Sequence, residues 1–426
     1  MIDVGIVKQE KAFLVITDFK ERNRNKFSID EEKKELEALT LSSGCGVCGH
    51  VEAKLGKVSS HLFIGKGKVS EIAEAAEENK AGVVIFNCNL SASQQRNLED
   101  AIGLKTIDRT QLILDIFARH AKSKGGKIQV ELAQLEYLFP RLKGKGIMLS
   151  RLGGGIGTKG PGEKKIEVDR RKIGERITRL KKELVHLRKH RDILRRRRKQ
   201  EGFFLISLVG YTSAGKTSLL NLLTGDSQKV EESLFTTLDP LSRAADFEEN
   251  VILADTVGFI HDLPEKLRES FKATLEELEY ADLLIHLVDV SRSSYPKLIA
   301  SVNRMLESLG LKDKPILYVF NKIDKVSEDC LLDAGIKYRE FLFISVKDGR
   351  GIESLKEEIR IRALKKFSGV EIEVDGMNSK AINFIYRACR VISSDSVSGS
   401  KLRFSLIISE ENLNRLKKIQ NPNITK

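Results

Sequence analysis

The clearest chemistry in the chain lies in Gly210-Tyr211-Thr212-Ser213-Ala214-Gly215-Lys216-Thr217. The spacing GxxxxGK[ST] belongs to loops that wrap a polyphosphate. The apolar run Phe203-Phe204-Leu205-Ile206-Ser207-Leu208-Val209 before it reads as a strand. Ser218-Leu219-Leu220-Asn221-Leu222-Leu223 after it reads as a helix. Glycines let the backbone come close to phosphate, and successive N–H groups at a helix N-terminus supply partial positive charge. Lys216 would reach the β- and γ-phosphates, and the Thr217 hydroxyl would ligate Mg²⁺. A plain glycine turn is the alternative, and Gly-Lys-Thr at this spacing argues against it.

Further segments follow in a telling order. Phe235-Thr236-Thr237-Leu238-Asp239 lies in a polar stretch. A threonine there can complete Mg²⁺ coordination while the γ-phosphate is present, with Thr237 the choice and Thr236 the rival. Asp255-Thr256-Val257-Gly258 ends the strand-like Val251-Ile252-Leu253-Ala254. Asp255 would hold Mg²⁺ through water, and the Gly258 N–H would meet the γ-phosphate. Asn321-Lys322-Ile323-Asp324 ends Ile316-Leu317-Tyr318-Val319-Phe320. A carboxylate at Asp324 accepts from guanine N1–H and the 2-amino group, donors that adenine lacks, so it selects GTP. Ser345-Val346-Lys347 ends Phe341-Leu342-Phe343-Ile344 and would back the base. Together these predict a GTPase in which Lys216, Thr237 and Gly258 position the transition state. No catalytic base is assigned. Phe259 stands where Ras-like enzymes carry the glutamine that orients water. His261 nearby reads as an exposed loop histidine. Slow intrinsic hydrolysis, raised when a partner orders the loops, is the expectation.

The elements that must hold these residues fall into four segments. Residues 1–120 read as alternating strands (12–17, 45–55, 82–87, 104–108) and helices (29–39, 69–79, 92–102, 110–120), hence a parallel sheet. Residues 121–200 read as a basic helical hairpin: a linker over 122–127, a helix over 128–143, an irregular glycine-rich stretch over 153–162, then a long helix. Ile166, Ile173, Ile177, Leu180, Leu184, Leu187 and Leu194 form an a/d seam on that helix, predicted to pack on the earlier one. Residues 201–364 form a Ras-like P-loop α/β domain. Residues 365–426 form a small α+β tail, with strands over 369–374 and 402–408 and helices over 379–390 and 411–419.

Charge is unevenly spread. The chain of 426 residues is net +13, yet residues 121–200 hold 25 Lys and Arg against 8 Asp and Glu, leaving the remainder net −4. Eight of those cations lie within residues 188–199. That concentration predicts a polyanionic partner, RNA, bound in a salt-dependent way. No apolar run approaches the roughly 18 residues that span a bilayer, and the first residues do not read as a secretory signal. Five cysteines are too few for a disulfide scaffold, so a cytoplasmic protein is expected. Cys45-Gly46-Val47-Cys48 is a lone CxxC, read as two buried thiols. A monomer is expected, because the one strong seam has an intramolecular partner.

Two further stretches stand beside the GTPase motifs: Gly153-Gly154-Gly155-Ile156-Gly157-Thr158-Lys159-Gly160-Pro161-Gly162-Glu163 and Glu167-Val168-Asp169-Arg170-Arg171. On these the chain resembles the HflX family of ribosome-associated GTPases. Asp255-Thr256-Val257-Gly258-Phe259-Ile260, Phe271-Lys272-Ala273-Thr274-Leu275-Glu276-Glu277 and the stretch running on to Pro240 add to the likeness. The resemblance implies an N-terminal α/β domain, a hairpin and a G domain. It also implies binding to the large ribosomal subunit with hydrolysis stimulated there, in ribosome splitting, rescue or quality control. Some members also act on ATP through the N-terminal domain. A hydrophobic residue at Phe259 is a family trait. Ser213 departs from the usual asparagine that helps hold potassium, which puts potassium stimulation in doubt. The competing reading is a GTP-switched protein or RNA remodeller with a non-ribosomal partner.

Overall fold

The computed structural model describes residues 9–19, 27–142, 161–200, 203–226, 234, 241–248, 250–256, 258–260, 277–328, 331, 338, 340–397 and 400–420. The chain divides into two compact units, one built mainly on residues 1–186 and the other mainly on 187–426.

The first unit holds a four-stranded sheet of β1 (Lys11–Phe19), β2 (Gly46–Leu55), β3 (Val83–Phe86) and β4 (Lys105–Ile107), in the order β2-β1-β3-β4. Every pairing is parallel, as the alternation predicts. Ala12 to Ile16 are buried without a break, the pattern of a strand covered on both faces. Four helices alternate with the strands: α1 (Ile29–Ser42), α2 (Lys66–Glu78), α3 (Ala92–Ile102) and α4 (Arg109–His120). Capping boxes start two of them, Ser28 with Glu31 and Ser91 with Gln94. Cys45 and Cys48 are half-buried and reduced, not fully buried, and the Cys48 thiol donates to the Ala12 carbonyl.

Residues 122–127 are not a linker. Helix α5 (Lys124–Leu138) begins there, because the Ser123 hydroxyl accepts the Gly126 N–H and offsets the entropy lost by two glycines. The helix also ends sooner than expected, passing into a 3₁₀ turn over Phe139–Leu142. Pro140 lacks the N–H that would continue the α ladder. Helix α6 (Pro161–Gln200) starts on its proline, inside the stretch expected to be irregular. Residues 153–160 lie outside the described ones. The predicted pairing of α6 with α5 is present. Arg176 donates from Nε and Nη2 to the two Glu131 oxygens at 2.7 and 2.8 Å, Lys181 meets Glu136 at 2.8 Å, and Arg170 lies over the Phe139 ring. Leu180 of the seam is wholly buried.

The second unit holds a six-stranded Ras-like sheet: β5 (Phe204–Val209), β6 (Leu241–Ala244), β7 (Val251–Asp255), β8 (Leu283–Asp289), β9 (Ile316–Asn321) and β10 (Phe341–Phe343). Its order is β10-β9-β8-β5-β7-β6, parallel except for β6. Helices α7 (Lys216–Thr224), α8 (Tyr295–Ser308) and α9 (Ile352–Lys366) flank it. Strands β6 and β8 were not anticipated. All seven residues of β8 are buried, His286 and Asp289 among them, and a strand buried on both faces carries no polar alternation to tell it from a helix.

A three-stranded antiparallel sheet completes the unit: β11 (Phe367–Asp375), β12 (Arg390–Ser396) and β13 (Lys401–Ser409), in the order β11-β13-β12. Helices α10 (Ser379–Ala388) and α11 (Glu410–Gln420) cover one face. The helix expected over 379–390 stops at Ala388. Cys389 is extended, and Arg390 and Val391 pair with Ile407 and Leu406 of β13. Ladder formation by β-branched residues wins over the helical reading. Among the described residues, no helix is long and apolar enough to cross a membrane.

Candidate functional site

The site is built at the carboxyl ends of β5, β7, β9 and β10, where open α/β sheets hold ligands. The chain leaves β5 through Gly210, whose φ of +150° an L side chain rarely adopts. A Cβ there would sit 2.3 Å from the Leu287 carbonyl oxygen, so the close approach of loop to β8 requires glycine. Gly215, at φ +99°, caps α7, and a Cβ on it would meet Asn321 Nδ2 at 2.6 Å. The N-terminus of α7 thus faces the space the loop encloses.

Lys216 is nine-tenths buried. Its ammonium donates to the Gly210 and Tyr211 carbonyls, both at 2.9 Å. Burial lowers its pKa to about 8, and Asp255 acts the other way. The Thr217 hydroxyl donates to Asp255 Oδ2 at 3.0 Å, and Asp255 is itself buried. Hydroxyl and carboxylate thus converge beside the lysine, a hard-oxygen pair of the kind Mg²⁺ takes. Thr256 is wholly buried and donates to the Leu208 carbonyl, which anchors the end of β7 to β5. Gly258 lies against the Thr212 methyl, where a Cβ would come within 2.8 Å.

The base side is tied to the phosphate loop by side chains. Asn321 Nδ2 donates to the Ala214 carbonyl at 2.8 Å, and its Oδ1 accepts the Val346 N–H at 3.1 Å. Lys322, at φ +67°, donates to the Ser213 carbonyl at 2.9 Å and to Asp289 Oδ2 at 2.7 Å. Ile323 and Asp324 lie in a 3₁₀ turn. The Ser345 hydroxyl donates to Asp324 Oδ1 at 2.8 Å, and that bond holds the half-buried carboxyl below the usual range. Lys347, adjoining this turn, acts on Asp324 in the same direction. Tyr211, Thr212 and Ala214 are buried, so the loop offers a ligand mainly its backbone there. Ser213 sits at φ +62°, a left-handed conformation that serine adopts less readily than asparagine.

Phe259 points away from this cradle. It is 5% exposed and packs with Val209, Leu278, Leu284, Val302 and Leu306. Its N–H donates to the Gly210 carbonyl at 3.1 Å, and its carbonyl accepts the Thr212 N–H at 2.9 Å. The segment after Gly258 is thereby stitched to the phosphate loop by main chain.

The structure brings together Gly210 to Thr217, Asp255, Thr256, Gly258, Asn321 to Asp324 and Ser345 to Lys347. Phe235, Thr236, Thr237, Leu238, Asp239, Val257 and His261 lie outside the described residues. Two groups escaped the sequence reading, both on β8. Asp289 orients Lys322. His286, beside the loop, is buried against Tyr318 with ring centroids 5.3 Å apart, and burial first and Lys216 second push its pKa down to about 3. The aspartate that ends the apolar run before Val290 was the available signal.

Three family models match the chain: "GTP-binding GTPase N-terminal" over residues 30–118, "GTP-binding GTPase Middle Region" over 120–198, and "50S ribosome-binding GTPase" over 205–322. Among curated proteins, the chain is 44% identical over 368 residues to GTPase HflX of Caldanaerobacter subterraneus subsp. tengcongensis, covering 86% of this chain and 85% of that one. It is 39% identical over 336 residues to GTPase HflX of Escherichia coli K12, covering 78% and 79%. Among solved structures it is similar to a GTP-binding protein from Sulfolobus solfataricus in complex with GDP, at 25% identity over 84% of this chain and 99% of that one, TM-score 0.45.

Proposed function

The chain belongs to the HflX family of GTPases, and from that premise we propose that it is a slow GTP-driven timer whose basic hairpin docks on the large ribosomal subunit. It binds and hydrolyses GTP as a GTPase. In the proposed arrangement, loop N–H groups and Lys216 hold the phosphates. Thr217, Thr237 and Asp255, the last through water, would hold Mg²⁺, which would neutralise charge on the β- and γ-phosphates. Asp324 accepts the guanine donors, while Asn321 and Lys322 brace the loop from below. Lys216, Thr237 and Gly258 position the transition state. With Phe259 turned into the core, turnover waits on a partner.

The observation that carries the reading is the convergence of Lys216, Thr217, Asp255, Asn321 and Lys322 on one loop, in a chain with a +17 segment directly before it. The matched description "50S ribosome-binding GTPase" supports a ribosomal partner for that segment. Roles in splitting, rescue or quality control, a cytoplasmic location and a monomeric state belong to the same reading. Ser213 offers no amide to a monovalent cation, so equal turnover in potassium and sodium is expected.

Co-sedimentation with large subunits tests this. Pelleting should require a GTP analogue and fall steeply with salt. It should also be lost when Arg195, Arg196, Arg197, Arg198 and Lys199 are neutralised. No pelleting would point to a non-ribosomal partner, and nucleotide-independent pelleting would overturn the role of GTP as a timer of docking.

A further inference from the structure

The C-terminal sheet and its helices leave a groove that the GTPase site does not use. It runs between α10 and α11, with a volume of about 420 Å³. Its α10 wall is one helical stripe, with Lys380, Asn383, Phe384 and Arg387 at i, i+3, i+4 and i+7. Arg415 lines the opposite wall. Asn412 sets the spacing of the two helices, because its buried amide donates to the Ala388 carbonyl at 2.8 Å. The groove is therefore held open by the fold, not by a side chain free to collapse into it.

We propose that this groove binds a single-stranded segment of RNA. Lys380, Arg387 and Arg415 are exposed cations, and none of the described residues lining the groove is acidic. Lys418, three residues beyond Arg415, extends the basic rim along α11. The carboxylates of this part of the chain lie elsewhere. Glu371 and Glu373 are on β11, the latter paired with Arg403 of β13 at 2.9 Å, and Glu410 and Glu411 open α11 at its N-terminal end. Phe384 is half-buried in the groove wall, a rigid ring between cations. Cations that track a backbone around an aromatic ring that stacks a base are the two parts of a single-strand site. Duplex RNA would present phosphates but no unstacked base to the ring. Asn383 adds an exposed amide for a base edge.

A fluorescent 12-nucleotide single-stranded RNA titrated against the full chain tests the groove without a ribosome. The background is a variant with Arg195, Arg196, Arg197, Arg198 and Lys199 neutralised, so the hairpin does not mask it. Arg387→Glu with Arg415→Glu should lower the slope of log K against log salt by about 1.4, two single-strand phosphates. Phe384→Ala should weaken binding about tenfold, the loss of one stacked base. A 4-thiouridine oligonucleotide should cross-link to the peptide carrying Phe384. Because Phe384 also packs in the domain core, the exposed arginine pair decides if that variant unfolds. An unchanged salt slope with no cross-link in α10 or α11 would overturn the proposal. So would binding of an acidic peptide, but not the RNA, in a way the arginine pair abolishes. Either failure leaves hairpin docking on the ribosome standing, since that is read by co-sedimentation.

Discussion

Restoring the Ras-like glutamine by Phe259→Gln should damage this protein, not accelerate it. The Phe259 side chain is 5% exposed among Val209, Leu278, Leu284, Val302 and Leu306, and its backbone is bonded to Gly210 and Thr212. Glutamine at this position would direct its amide into that cluster. Emptying a buried phenylalanine site costs about 3–5 kcal/mol. Glutamine refills part of the volume but buries an amide without partners, at about 1–3 kcal/mol. The two terms overlap, and a net loss of about 4 kcal/mol is expected. In a unit of this size that lowers the melting temperature by about 8–16 °C. The chain has no tryptophan, so calorimetry or far-ultraviolet circular dichroism is the suitable probe. Phe259→Leu keeps the apolar character and should cost less than about 1.5 kcal/mol. GTP turnover by phosphate release should not rise in either variant. A Phe259→Gln protein that melts within about 2 °C of the parent, less than 1 kcal/mol, and hydrolyses GTP faster would refute the reasoning. It would show that the side chain reaches the nucleotide.

Burial lowers the Lys216 pKa to about 8, so guanine-nucleotide affinity should fall as pH rises above 8, read from fluorescent GDP titrations. The same shift means that the nucleotide-free fold gains stability from about pH 8 towards the unfolded value near 10.5, because the unfolded chain then binds more protons. His286 has its pKa lowered to about 3, so it opposes folding once pH drops below the unfolded value of 6.5. His286→Phe should flatten the acid limb of a denaturation series between pH 6.5 and 3. In the first unit Arg109 and Glu35 pair at 2.8 Å with both side chains nearly buried. Glu35→Ala should cost about 3–5 kcal/mol in urea unfolding, and Arg109→Leu on top should recover part of it. Asp324→Ala should weaken GTP binding by at least about tenfold, the order expected for hydrogen bonds to a charged group. Adenine nucleotides, which lack both donors, should change far less, and inosine nucleotides, which keep N1–H, should lose an intermediate amount; equal losses for guanine and adenine nucleotides would count against base recognition there.

What the sequence determined by itself was local. Gly210, Gly215, Lys216 and Thr217 are legible because a phosphate loop needs those residue types at fixed spacing along one stretch. The strand before it, the helix after it and the parallel order of the first sheet follow from short-range patterns of the same kind. So does the seam on α6, where Leu180 is buried and Arg176 reaches Glu131. The extent of α5 was misread because a cap at Ser123 outweighs two glycines, and Pro140 then ends what periodicity would continue. Only tertiary structure decided the rest. Strand β8 has no period to read, yet it supplies the Leu287 carbonyl against Gly210, Asp289 to Lys322 and His286 beside Lys216. The direction of Phe259, the bracing of the loop by Asn321 and the groove between α10 and α11 each depend on residues far apart in the chain. Spacing along a chain encodes a backbone conformation. Which carbonyl a buried amide finds, or which face a ring covers, is set when the sheet closes.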